Sequence, residues 1–395
     1  MNGPSSVIVA ACRTPIGRYL GGLSSVSAVD LGVIAATEAL RQSGIDPSEY
    51  DEAIIGNVLS AGLGQAPARQ VALRAGLPPT SSALTVNMVC GSGLRAVMLA
   101  DLAIRAGDSS VILAGGMESM SNAPHLLRGG RSGWKIGDGT LIDSMQYDGL
   151  TCTVERWPMG MAAERTAEMC QLTRQKIDEY ALLSQSRAAQ AINQGWFAAE
   201  TTSVTIVDKG VSREILTDEG PRKETTLEGL AKLKPAFHKD GVVTAGNSSL
   251  LSDGAAMLVV TSDAAAQLNN AKPLARIIAT ATSGRVPRDL FLAPIEAIQK
   301  ALMKANLDTT SIDLFEINEA FGSQLLGCVQ GLKLDPEKVN IQGGGIALGH
   351  PIGASGARVL VTLVHALERL QLRYGVASLC LGGGNAVAMV IERVS

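Results

Sequence analysis

Three residues with reactive side chains stand in turns dense with glycine. Cys90 lies in VNMVCGSGLRAV (86–97), His350 in NIQGGGIALGHPIGASG (340–356) and Cys380 in CLGGGNAVAM (380–389). Glycine there lets backbone and ligand approach closely, whereas a structural cysteine sits more naturally in an apolar element. The chain has only 6 cysteines and 4 histidines, so finding two cysteines and one histidine in such turns points to nucleophilic or acid–base chemistry.

Cys90 follows the apolar run ALTVNMV and precedes GSGLRAVMLADLAIRAG, a helix closed by Gly107. A thiol at that junction meets free N–H groups and the positive helix end, which favour thiolate and could hold a developing oxyanion. A small buried hydrophobe before a helix explains the same context equally well. His350 is followed by Pro351, which bars it from a regular helix. It fits a general base or a loop histidine bonded to backbone. Cys380 ends the strand VASLC, and the N–H of Gly382 is free to donate to an oxyanion. Asn318, in FEINEAFGSQ, fits either a helix N-cap or the holder of a catalytic water. His365 falls on a helix and packs, His238 reads as a surface-loop residue, and His125 is unassigned.

These turns need elements to position them. SSVIVAACRTP, YDEAIIGNV and SSVILAGGMES read as buried strands. AVDLGVIAATEALRQSG reads as a helix ended by Gly44, giving a β-α-β order and an α/β fold. Parts of the chain repeat. ALRQSGIDPSEYD (39–51) resembles ALMKANLDTTSID (301–313), SGLR (92–95) resembles SGAR (355–358), and VILAGG (111–116) resembles ASLCLGG (377–383). Their shared order predicts two homologous halves, each presenting a strand–turn–helix to one site. Residues 119–248 fall outside the repeat and read as an insertion, with an irregular stretch RGGRSGWKIGDG and a long helical pattern from PMGMAAERTAEMC to EYALLSQSRAAQAINQG. Insertions of this kind often carry ligand-binding elements.

Composition excludes other classes. A net charge of -3 gives no support to nucleic-acid or membrane-surface binding. No apolar run has bilayer-spanning length. No cysteine pair has C-x-x-C spacing and no His/Cys cluster has zinc spacing. A cytoplasmic protein with free thiols and no metal is the expectation.

NMVCGSGLRAV, NEAF, GGGIALGHPIGASGAR and CLGGGNAVAM together, in this order over the whole chain, closely resemble the thiolases. The resemblance implies a five-layer α-β-α-β-α fold from two homologous halves. They are 1–118 with 249–270, and 271–395, with 119–248 as an inserted loop domain that binds coenzyme A. It implies that Cys90 becomes acylated, that His350 takes its proton, and that Cys380 serves as acid and base at the second thioester. Asn318 would hold a water that forms one oxyanion hole with His350. The N–H groups of Cys90 and Gly382 would form the other. TAGNSSLLSDGAA (244–256) matches a pantetheine-contacting segment. Ser249, Met159, Ala245, Ala320 and Phe321 are the implied coenzyme A contacts, with the coenzyme as substrate rather than a permanently bound cofactor. DSMQYDGL and SNAPHLLR look like the biosynthetic acetoacetyl-CoA members. These condense two acetyl-CoA to acetoacetyl-CoA plus CoA and assemble as homotetramers, dimers of dimers. A 3-ketoacyl-CoA thiolase of broader chain length is the alternative, and a non-catalytic acyl-CoA-binding protein a remote one. One departure stands in RWPMGMAAE. Pro158 replaces the histidine common in that branch, which would leave coenzyme binding weaker or differently routed, with Trp157 packing against it.

Overall fold

The computed structural model describes residues 5–208 and 210–394. The first half runs β1 (Ser6–Arg13), α1 (Ala28–Ser43), β2 (Glu52–Gly56), α2 (Pro67–Ala75), β3 (Ser82–Val86), α3 (Ser92–Ala106) and β4 (Val111–Ser119). A long insert carries α4 (Met159–Met169) and α5 (Arg174–Asn193), and β5 (Ser252–Ser262) closes the half. The second half runs β6 (Ala275–Gly284), α6 (Ala293–Ala305), β7 (Leu314–Ile317), α7 (Gly322–Leu332), α8 (Ile352–Leu370), β8 (Tyr374–Leu381) and β9 (Asn385–Arg393).

Strand order shows the repeat. The first half is ordered β3-β2-β4-β5-β1 and the second β7-β8-β9-β6, with the same directions. A parallel bridge from Phe315 to Val339 stands on β7 where β3 would lie. Among the described residues the two half-sheets join at Val7 and Ile8, which pair with Arg276 and Ala275. Helices α1 and α2 cover the outer face of the first sheet, and α6 covers that of the second. Helices α3 and α8 fill the space between the sheets, completing five layers. Helix α8 is buried around nearly its whole circumference over 352–367, as a helix between two sheets must be.

Residues the repeat pairs do the same work twice. Asp51 Oδ2 accepts from the N–H groups of Ser110 and Val111, and Asp313 Oδ2 from those of Arg373 and Tyr374. Gly44 and Asn306 end α1 and α6 in left-handed conformation, at φ 65 and 59. Helices α3 and α8 cross at Gly93 and Gly356. A Cβ on Gly93 would lie 2.7 Å from Ala357 N, and one on Gly356 would lie 2.3 Å from Leu94 N. The reciprocity marks a pseudo-two-fold axis, and only glycine allows the approach. One expected correspondence is wrong. The Asp51 and Asp313 contacts pair 111–116 with 374–379, not with 377–383. Glycine-ended strands matched by eye sit four residues out of register, because sheet register is set by hydrogen bonding.

The insert leaves the first half between β4 and β5, yet α4 and α5 pack on α7 of the second half. The long helical pattern breaks at Gln171, which has φ 52.

Candidate active site

Cys90 stands between β3 and α3 on a sharp turn. Val89 before it has φ 48, a conformation costly for a β-branched residue. Its neighbours over-determine it: Asn87 Oδ1 accepts from Val89 N–H at 3.0 Å, and Ser92 Oγ accepts from Met88 N–H at 2.9 Å while donating to Val89 O at 2.6 Å.

His350 closes the glycine-rich turn before α8. Its N–H donates to Leu250 O at 3.0 Å. Its Nδ1 lies 2.6 Å from Ser355 Oγ, and that hydroxyl donates to Pro351 O at 2.8 Å. A serine hydroxyl has one proton. With it committed to Pro351, Oγ accepts from Nδ1–H, which leaves the Nε2 lone pair free as a base. The Asn318 amide nitrogen is 3.4 Å from both ring nitrogens, and Asn318 Oδ1 has no protein partner although buried. Asn318 is not a helix cap, since Phe321 holds that position for α7.

Glu319 anchors the turn from behind. Its carboxylate accepts from Ser184 Oγ at 2.7 Å, Ile346 N–H at 3.1 Å, Asn340 Nδ2 at 3.1 Å and the Tyr180 hydroxyl. Helix α5 of the insert thereby fixes the 340–350 segment. Neither Glu319 nor Ser355 was singled out from the sequence, although NEAF and GASG contain them, because their roles depend on distant partners.

Cys380 is the next-to-last residue of β8, and Gly383 and Gly384 turn the chain into β9 at φ 83 and 95. A cavity of about 250 Å³ brings Cys90, His350, Cys380 and Gly382 together with Met159, Ser249, Ala320 and Phe321. Pro158, Phe237, Leu290 and Phe291 narrow it with apolar surface. A second cavity, about 550 Å³, shares Gly149, Met159 and Gly382. Asn318 lies behind His350 rather than on the wall. Ala245 is exposed and off the lining. Trp157 lines a separate groove with Met161 and Glu164 and packs against the apolar cluster of Leu290, Phe291, Ala320, Phe321 and Cys380, off the lining of this cavity. His125 and His238 are exposed and off the cavity lining, and His365 Nε2 donates to Ala11 O at 2.7 Å.

Electrostatics correct one expectation. Cys90 keeps some exposed surface, yet its protein surroundings desolvate the sulfur and push the thiol up to about 12. The N–H groups of Cys90 and Gly382 hydrogen-bond the sulfur and pull the other way, and burial wins. The resting group is a thiol, not the thiolate that the helix end suggested. Burial, then Arg358, pushes His350 down to about 3. It is neutral, as a base must be. Burial raises the Cys380 thiol well above its usual range, with Cys90 adding to the effect. Among the described residues no group of His, Cys, Asp and Glu has the makings of a metal site.

This fold and this set of residues define a class. The family described as thiolase, N-terminal domain, matches residues 6–264, and thiolase, C-terminal domain, matches 271–393. The chain belongs to the thiolase family and is an acyltransferase. It is 50% identical to an acetyl-CoA acetyltransferase of Escherichia coli K12 over 98% of this chain and 99% of that one. A probable acetyl-CoA acyltransferase of Staphylococcus aureus is 47% identical over 98% of each chain. Among solved structures, the Bacillus anthracis acetyl-CoA acetyltransferase superposes with a TM-score of 0.97 at 42% identity, covering 99% of each. Human mitochondrial 3-ketoacyl-CoA thiolase does so at 0.97 and 41%, again over 99% of each.

Proposed function

We propose that the chain is an acetyl-CoA C-acetyltransferase, joining two acetyl-CoA into acetoacetyl-CoA and CoA reversibly. The observation that carries it is the meeting of Cys90, neutral His350 and Cys380 in one narrow apolar cavity. The full-length kinship with acetyl-CoA acetyltransferases supports it.

The steps balance without an outside reagent. Cys90 Sγ attacks the thioester carbonyl as its proton passes to His350 Nε2. The N–H groups of Cys90 and Gly382 hold one oxyanion, and Asn318 with a water and His350 hold the other. The C–S bond to CoA breaks, and the leaving thiolate takes the Cys380 proton. The Cys380 thiolate then removes the α-proton of a second acetyl-CoA. The enolate carbon attacks acetyl-Cys90, the C–S bond to Cys90 breaks, and His350 returns its proton to the sulfur. The insert 119–248, with Met159, and the facing residues Ser249, Ala320 and Phe321 take the pantetheine arm. Ala245 lies outside this cavity and would contact only a distal part of the coenzyme.

Incubation with acetyl-CoA and peptide mass analysis tests the scheme. Acetyl should appear on the Cys90 peptide. Cys380→Ala should keep part of that label and lose acetoacetyl-CoA formation, and Cys90→Ala should lose both. Condensation at the wild-type rate in Cys380→Ala would refute the two-cysteine mechanism.

The same reading includes assembly as a homotetramer in the cytoplasm. The outer edge of β3 carries exposed Leu84, and the 125–143 hairpin carries exposed Leu127, Trp134, Ile136 and Leu141. Such apolar surface fits contact between copies. Six free cysteines suit a reducing compartment. Light scattering measures the mass, and a dimer would remove the tetramer. Cell fractionation checks the location.

A further inference from the structure

The pseudo-two-fold relation gives residues at the α3/α8 crossing counterparts in the other half. The α3/α8 crossing pairs Cys90 with Gly353 and Leu381 with Glu118, an offset of 263. In the first half Leu381 packs on the turn at Gly91, and a Cβ there would lie 2.3 Å from Leu381 Cδ2. The N–H of Cys90 hydrogen-bonds its own sulfur. Across the axis a carboxylate stands where the leucine stood. Glu118 is fully buried at the end of β4. Its Oε1 accepts from Asn57 Nδ2 at 2.9 Å and Leu59 N–H at 3.2 Å. Its Oε2 accepts from Val58 N–H at 3.2 Å and Gly353 N–H at 3.0 Å. Four N–H donors hold its two oxygens and favour the anion, against the burial that opposes it.

We propose that Glu118 is a positioning residue of the acyl-transfer centre: it fills the counterpart of the N–H pocket beside Cys90, ties the turn bearing His350 to the strand ends of the first half, and holds a negative charge near Cys90. Gly353 is three residues from His350, so a shift of that N–H moves the imidazole. The carboxylate at the first turn of α8 also matches the helix dipole. The titratable groups that face Glu118 are Cys90, before α3, and Asp253 on β5. Residues 57–59 and 352–357 carry no ionisable side chain. Burial raises Glu118 to about 7 against the pull of its donors.

The proposal rests on the acyl-transfer reading and is tested so that the two fail separately. Glu118→Gln and Glu118→Asp are compared with wild type in two assays. One is peptide-resolved alkylation of Cys90 by iodoacetamide at several pH values, which needs no substrate. The other is single-turnover acetylation by acetyl-CoA. Glu118→Gln removes the charge and turns an amide N–H2 toward two donors. Alkylation of Cys90 at pH 8 should rise about tenfold while acetylation falls about 100-fold. Glu118→Asp keeps the charge and shortens the reach to Gly353, so its alkylation should stay near wild type while acetylation falls. A residue that merely supports the fold would slow both reactions or neither. Unchanged alkylation in Glu118→Gln, or wild-type acetylation in either variant, overturns the proposal. If Glu118→Gln does not fold, the Glu118→Asp pair of rates decides. Wild-type protein that never acetylates Cys90 would defeat the acyl-transfer reading, with the alkylation arm still judging Glu118.

Discussion

Ser355 decides which nitrogen of His350 is free. Its hydroxyl passes its only proton to Pro351 O and so accepts from Nδ1. Without it the imidazole has no fixed tautomer, and part of the population carries a proton on Nε2, where the base is needed. Ser355→Ala should lower kcat for acetoacetyl-CoA thiolysis by about tenfold to 100-fold and leave KM for CoA near wild type. Ser355→Thr, which keeps the hydroxyl, should recover part of the loss. A normal kcat in Ser355→Ala would remove the tautomer argument. Ser92, the repeat partner of Ser355, spends its hydroxyl on Met88 and Val89 instead. The same residue type thus shapes the turn before Cys90 in one half and orients the His350 ring in the other.

Helix α4 begins at the cavity mouth, and its first turn carries the departure at Pro158. Proline there pairs with Thr151 and caps α4 with φ -68 and no side-chain hydrogen bond. Histidine can hold that conformation and would add a polar ring to the wall. Pro158→His should lower KM for acetyl-CoA by about threefold to tenfold, the worth of one hydrogen bond, with kcat little changed. An unchanged KM would mean that this position does not tune coenzyme binding. The element also shows what packing can reverse. Sequence order assigns α4 and α5 to the first half, whereas their apolar faces dock on α7, and Tyr180 and Ser184 of α5 reach Glu319.

At the scale of the whole molecule, the buried centre makes stability depend on pH. His350 is lowered to about 3 when folded, whereas unfolded histidine titrates near 6.5. Between those values the unfolded chain binds the extra proton. The stabilising contribution is therefore complete above about pH 6.5 and is lost as pH falls toward 3. Glu118 and Glu316, raised by burial to about 7 and about 8, act in the opposite sense. Their contribution is complete below the ordinary carboxylate range and is lost as pH rises through 7 to 8. Urea unfolding at pH 7, 6, 5 and 4 should show His350→Asn losing less stability over the acid limb than wild type, by about 3 kcal/mol at pH 4. Parallel curves would show that His350 is not held neutral by the fold.

The sequence by itself determined the α/β fold class and pointed to a repeat, an insert and three reactive turns. Helix ends at Gly44 and Gly107, buried strands and glycine-dense turns are local consequences of side-chain type, and local signals survive in one dimension. The family motifs pointed to Cys90, His350, Cys380 and Asn318, and the fold brings Cys90, His350 and Cys380 to one cavity. Tertiary structure decided whatever depends on distant neighbours. Burial, not the helix end, sets the state of the Cys90 thiol, because desolvation counts the atoms packed around the sulfur from both halves. The register of the repeat came from the hydrogen bonds of Asp51 and Asp313, which glycine spacing could not reveal. Trp157 and Ala245 lie off the lining of the cavity, since adjacency in a motif does not fix the direction of a side chain. Glu118, Glu319 and Ser355 acquired their roles only when the fold brought Gly353, Ile346 and His350 to them. A carboxylate or hydroxyl has no function until its hydrogen-bond partners are in place.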